Sequence, residues 1–437
     1  MQLEGRSLKR DFFRFIIPSI VAQWVYAMYA MVDGLFVARG VSEIALSAVN
    51  IAVPFTTFLF AVALCFAVGS STVIALYLGR EELHKAKEVF TQNIITLAIV
   101  SLIITGAAYF KASEIAVFLG AGPETIKNAS TYIATIGVFS FFFVISYSLE
   151  VLIKTDGYPM KATIIVILGC LLNGILDYIM VIVLHKGVWG AAFATGFSQL
   201  CVVLMYLTHF CGKDTHMRLV KHKFDGSLLL RTLRIGIASG ITEFSAGIVI
   251  FLFNHYILKY LGEAYVASYT IVSYICTIAV MSMAGIIQGI QPLVSYHVGK
   301  DSMDKCRMLL KYALFTAEGI AVVLFALSYI GAGTISDLFI SKEYSSLRNE
   351  TIKAFHGFSW SYLLCGFNII IGGYFTALER TKSAMAISLG RGFVFVAVSL
   401  QILTMIFQEN GIWYAATLSE FMCFVLTFWL FRKNGLH

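Results

Sequence analysis

Four side chains in the first half of the sequence differ sharply from their neighbours: Asp33, Asn173, Asp177 and Thr195 each lie in a long apolar run. In a helix, Asn173 and Asp177 fall one turn apart on a shared face, and Tyr29 precedes Asp33 by the same spacing. Two carboxylates, an amide oxygen and a hydroxyl are hard oxygen donors, suited to a small hard cation such as Na+. Without the cation, at least one carboxyl is expected to hold a proton, because a low dielectric and a like-charged neighbour both disfavour the ionised form. Either way the set loads and unloads positive charge. A polar knot that merely fastens helices is the alternative, but an ionisable group deep in hydrocarbon costs about 2.5–3.5 kcal/mol, which favours a specific role.

Other polar residues suggest less. Glu243 is a candidate counter-ion for a cationic ligand, or a partner of Arg234. Glu150 and Lys154, one turn apart near a span end, are expected to form a surface pair. Gln288 and Gln291 precede a helix-bending Pro292, and Pro54 lies in a similar setting. Phe36 belongs to an aromatic content of 14%. A cleft lined by such rings suits flat, lipophilic, often cationic compounds. Glu318 and Glu420 have no evident role. The chain contains no HExxH, GxSxG or P-loop motif, and an enzyme is not expected. No cofactor is expected beyond a coupling ion, H+ or Na+.

The elements that position these residues are helices in a bilayer. The chain has 437 residues, 59% hydrophobic and 13% charged, with a mean hydropathy of +0.82. Apolar stretches of the ~20 residues needed to cross a membrane recur throughout. Twelve spans are predicted near Phe12–Val37, Ala45–Leu78, Asn93–Phe110, Tyr132–Ile153, Met160–Leu184, Val188–Phe210, Leu233–Tyr260, Tyr265–Val298, Leu309–Ile330, His356–Leu378, Ala384–Ile406 and Ile412–Leu430. The basic start at Met1–Arg14 leads into a retained first helix rather than a cleaved signal. Lys and Arg concentrate in alternate segments, including Arg80/Lys85/Lys87 and Arg380/Lys382/Arg391. By the positive-inside rule both termini are cytoplasmic and the protein spans the cell membrane. Charge dealt out loop by loop calls for no nucleic-acid partner. The eight cysteines show no CxxC spacing and read as core residues.

The sequence also repeats itself at about half its length. Arg14 and Gln23 align with Arg234 and Glu243; Gly69, Gly79 and Arg80 align with Gly289, Gly299 and Lys300; Gly187-Val188-Trp189 echoes Gly411-Ile412-Trp413. Six spans per copy make the copies parallel, related by an axis along the membrane normal. The expected architecture is an all-α polytopic protein of two pseudo-symmetric six-helix lobes, residues 1–212 and 232–437, joined by a linker at 213–231. In the second copy, Asn254, Val394, Val398 and Ser419 replace Asp33, Asn173, Asp177 and Thr195. Carboxylates needed only for packing should appear in both copies, so their one-sided presence points to a task in the first lobe.

The segments "IIPSIVAQ", "MVDGLFVARG" and "GIQPLVSYHVGK", with the twelve spans, give the whole chain a recognisable pattern. It resembles the bacterial and archaeal branch of the multidrug and toxic compound extrusion (MATE) family, within the multidrug/oligosaccharidyl-lipid/polysaccharide exporter superfamily. The resemblance implies a first-lobe cation site of Asp33, Asn173, Asp177 and Thr195, with Tyr29 close by. It implies export of varied organic compounds by antiport with H+ or Na+ through alternating access, by a protein expected to be a monomer. Some members carry an acid on helix seven two turns after a proline; here that proline is Ala238 and Glu243 comes too early. A lipid-linked oligosaccharide flippase of the same superfamily is the rival, but it should hold pyrophosphate with basic residues inside its cleft, whereas those here fall in loops or near span ends.

Overall fold

The structure is a computed structural model that describes residues 7–213, 215–340 and 344–434; the side chains of residues 30–35, 37–40 and 43 lie outside that description. The described residues form helices and no strand. Eleven helical stretches are long and apolar enough to cross a membrane. The last, Thr381–Lys433, folds back through the 3-10 stretch Gln408–Tyr414 and holds two spans, which brings the total to twelve. We number them α1 (Leu8–Gly40), α2 (Glu43–Gly79), α3 (Leu83–Phe110), α4 (Ile126–Thr155), α5 (Pro159–Asp177), α6 (Gly187–Phe210), α7 (Gly226–Tyr260), α8 (Val266–Gly299), α9 (Met303–Ile330), α10 (Ser345–Ala377), α11 (Thr381–Leu389 and Phe395–Phe407) and α12 (Ala415–Lys433). A π-turn, Tyr178–Val183, extends α5, and another, Gly390–Val394, joins the two parts of α11.

The repeat is visible in the backbone. Short helices Ala112–Phe118 and Ala332–Phe339 follow α3 and α9 at matching places. Glu81 and Asp301 both turn through the left-handed region after α2 and α8, at φ 63° and 55°. Gly157 and Glu379 do the same after α4 and α10, at φ 102° and 57°.

The lobes meet along a seam made by α1 and α2 against α7 and α8. The seam lies toward the end of the bundle that carries the linker and both termini. Gly79 and Gly299, aligned in the repeat, touch each other: a methyl built on either would lie 3.0 Å from the other's Cα. Contact between equivalent residues places the pseudo-twofold axis between them. Farther along, Gly69 abuts Thr232, Gly236 abuts Cys65, and Gly285 and Gly289 abut Ile20 and Ile16. Absence of a side chain lets these helices approach backbone to backbone, as in other small-residue membrane interfaces.

The linker is tied down. Asp156 accepts from His209 Nε2 and Thr215 Oγ1, both at 2.9 Å, and from the His216 N–H at 3.2 Å. Met217 is fully buried against Val73, Phe90 and Leu152. The Val220 N–H donates to Thr91 Oγ1 at 3.0 Å, and the Asp225 N–H to Gln92 Oε1 at 3.0 Å. Asp225 caps α7, which starts at Gly226, inside the segment read as linker. The Ser227 hydroxyl and the N–H groups of Ser227 and Leu228 hold its carboxyl below the usual range.

Candidate functional site

Asp177 ends the regular part of α5, where the chain widens into its π-turn. Such turns insert an extra residue, rotate the side chains around them and recur at functional sites. Asn173, Asp177 and Thr195 are all buried, at 2%, 0% and 5% exposure. Because α5 packs along both α1 and α6, these buried residues lie inside the first lobe on helices that touch each other. Among the described residues, the Asn173 amide nitrogen and the Thr195 hydroxyl have no hydrogen-bond partner. Leaving a buried polar group unmet costs about 1–3 kcal/mol, and both atoms belong to the set read from the sequence as a cation site. Asp33 continues α1 as backbone, but its side chain lies outside the described residues. Tyr29 and Phe36 are half-buried on the same helix. In the second lobe Ser419 is buried, while Val394 is 44% exposed on the outside of its helix.

A second cluster was not expected. Glu150 and Lys154 are not a surface pair: they are 0% and 1% exposed, and Lys154 Nζ lies 2.6 Å from Glu150 Oε1. The other Glu150 oxygen accepts from the Tyr26 hydroxyl at 2.6 Å, which joins α4 to α1. Lys154 Nζ also donates to Gln288 Oε1 at 2.9 Å, and Gln288 Nε2 donates to the Tyr147 hydroxyl at 2.7 Å. Gln288 is on α8, so the pair and its tyrosines tie one lobe to the other. The i,i+4 spacing looks the same on a surface as in an interior; the deciding fact is that α2, α3 and α6 pack along α4 while Tyr26 and Gln288 reach its end from α1 and α8, and spacing carries no trace of it. Phe60 sits over the cluster, its ring 4.6 Å from Phe143 and 6.0 Å from Tyr147.

The remaining candidates separate. Gln291 spends its amide on Thr72 Oγ1 at 2.8 Å and the Val68 carbonyl at 3.3 Å, which makes it another tie across the seam. Glu243 is half-buried and lies within electrostatic reach of the Tyr147 hydroxyl of the other lobe. It forms no ion pair with Arg234, which is exposed. Arg391, counted among the basic residues near a span end, lies on the π-turn of α11 with its Nε 2.8 Å from Glu420 Oε1 on α12. Asn368 on α10 donates to the other Glu420 oxygen at 2.7 Å. Basic residues thus do enter the spans, at Lys154 and Arg391, and each faces a carboxylate.

The MatE family model matches residues 18–179 and again 237–400, once per lobe and together well over half the chain. The chain belongs to the MatE family. This MATE protein is 23% identical over 424 residues to the multidrug export protein MepA of Staphylococcus saprophyticus, covering 96% of the chain and 92% of that protein. It is 24% identical over 432 residues to MepA of Staphylococcus haemolyticus, covering 98% and 94%. A solved outward-facing multidrug resistance MATE transporter superposes with a TM-score of 0.92 at 22% identity, covering 98% of this chain and 96% of that one. A superfamily transporter from Pyrococcus furiosus, described as having a binding pocket of reversed polarity, superposes at 0.91 with the same identity and coverage. These likenesses agree on a fold of two six-helix lobes and on a transporter rather than an enzyme.

Proposed function

We propose that this MATE protein exports lipophilic, often cationic organic compounds across the cell membrane in exchange for H+ or Na+, through alternating access of its lobes, residues 1–212 and 232–437, about the linker at 213–231. The observation that carries the reading is the buried set in the first lobe: Asn173 and Asp177 at the π-turn of α5 and Thr195 on the adjoining α6, two of their polar groups unmet, and valines in the second lobe. The cation binds among Asp33, Asn173, Asp177 and Thr195, beside Tyr29, and repacks α1; Glu243, Phe36 and the aromatic rings above Glu150 face the organic substrate. With the termini cytoplasmic, the closed seam lies on the inner side and the cleft opens outward. Each unit charge moving down ~100 mV supplies about 2.3 kcal/mol toward uphill export. A flippase reading is disfavoured because Lys154 and Arg391 already answer Glu150 and Glu420 and are not free to hold pyrophosphate.

The test is transport by purified protein in liposomes with imposed pH or Na+ gradients. Coupled efflux of a fluorescent organic cation should be lost in Asp33→Asn and in Asp177→Asn. Uphill efflux at the normal rate in both variants would remove the carboxylates from the mechanism.

A further inference from the structure

The outward surface of the first lobe carries a groove that neither the cation set nor the seam uses. It lies at the terminus-bearing end, between the first turns of α1 and α5 and the last turns of α6, and encloses about 550 Å3. Ile164, Ile165, Leu168 and Met205 make its floor, and Arg14 and Lys161 stand at its mouth. Ile164 and Leu168 are 49% and 48% exposed on a membrane-crossing helix, so this floor faces acyl chains in a bilayer.

The mouth is built to hold negative charge. Arg14 Nη2 donates to the Gly157 carbonyl at 3.1 Å, which fixes the guanidinium over the turn before α5 and leaves its other donors for a ligand. Lys161 Nζ is 3.5 Å from His209 Nδ1, and the opposite ring nitrogen is engaged by Asp156 at 2.9 Å. Among the described residues no carboxylate pairs with Arg14 or Lys161, and the nearby Asp156 is spent on His209, Thr215 and the His216 N–H. The first turn of α5, whose Pro159 carries no N–H, borders the same groove through Met160 and Lys161. A soluble anion has no use for the apolar floor, and a zwitterionic lipid brings its own cation to a basic mouth.

We propose that this groove binds one anionic phospholipid, its phosphate held between Arg14, Lys161 and the start of α5, with an acyl chain lying along Ile164 and Leu168. Basic pockets between membrane helices are recognised sites for such headgroups. The bound lipid fastens α1 to α5 and α6, the helices that carry the buried polar set.

Native mass spectrometry of the full-length protein, titrated with phosphatidylglycerol, with phosphatidylcholine of the same chains and with inorganic phosphate, tests this. A single retained phosphatidylglycerol is expected, with weak phosphatidylcholine binding and no displacement by phosphate. Removing both cations in Arg14→Gln/Lys161→Gln should weaken binding roughly thirty-fold, at about tenfold per 1.4 kcal/mol and ~1 kcal/mol per cation. Ile164→Trp fills the floor without touching either cation, is checked for folding by its melting temperature, and should also lose the lipid. Equal retention of both lipids, displacement by phosphate alone, or undiminished binding in the double variant and in Ile164→Trp would each overturn the proposal.

Discussion

At the scale of single residues, context decides what a charge means. The burial of Asp177 was legible because an acid in an apolar run has few cheap explanations, and the repeat supplied a comparison in Val398. Glu150 and Lys154 misled because a helical i,i+4 pair costs nothing to place on a surface. Buried as they are, they depend on each other. Lys154→Met leaves Glu150 without its partner inside the protein, and the loss of stability should be about 3–5 kcal/mol. Glu150→Gln/Lys154→Met removes both charges and should recover much of that loss. Thermal unfolding of the two variants checks the order; equal destabilisation would mean that the pair is not coupled. The pairing of Arg391 with Glu420 escaped notice for a related reason, since a basic residue near a span start reads as flank until α12 brings Glu420 to it.

At the scale of elements, all twelve spans were readable from apolar length, and the errors collect where helices outrun the hydrocarbon. The first turns of α10, from Ser345, and of α7, from Gly226, are polar enough to have been assigned to loops. Short helices such as Ala112–Phe118 are too brief to show a hydrophobic period. The linker strap was invisible because its partners, Asp156, Thr91 and Gln92, are distant in sequence. The Asp225 cap makes a pH-dependent contribution whose sign follows from its depressed carboxyl. Its stabilisation is present above the ordinary aspartate range and is lost as pH falls through the lowered folded value. Asp225→Asn should therefore flatten the acid limb of a stability-against-pH curve recorded by tryptophan fluorescence; an unchanged limb would show that the cap carries no such linkage.

At the scale of the whole molecule, the two copies were legible as a duplication, but their contact was not, because helical spacing alone does not tell which faces meet. The seam makes its own prediction. Gly236→Ala would push a methyl into the Cys65 carbonyl, and the lobes should part at that end. In a variant that keeps Cys65 and replaces the other cysteines with serine, a membrane-permeant maleimide should then label Cys65 faster than in the same background with Gly236; unchanged labelling would mean that the seam absorbs the methyl. The meeting of Gly79 with Gly299 has a further consequence. Two bare backbones laid together have no side chains to disengage, so at that point parting the helices frees no trapped rotamers. In the alternating access proposed above, resistance to parting would then come from the Gln288 and Gln291 hydrogen bonds across the seam rather than from the glycine contact.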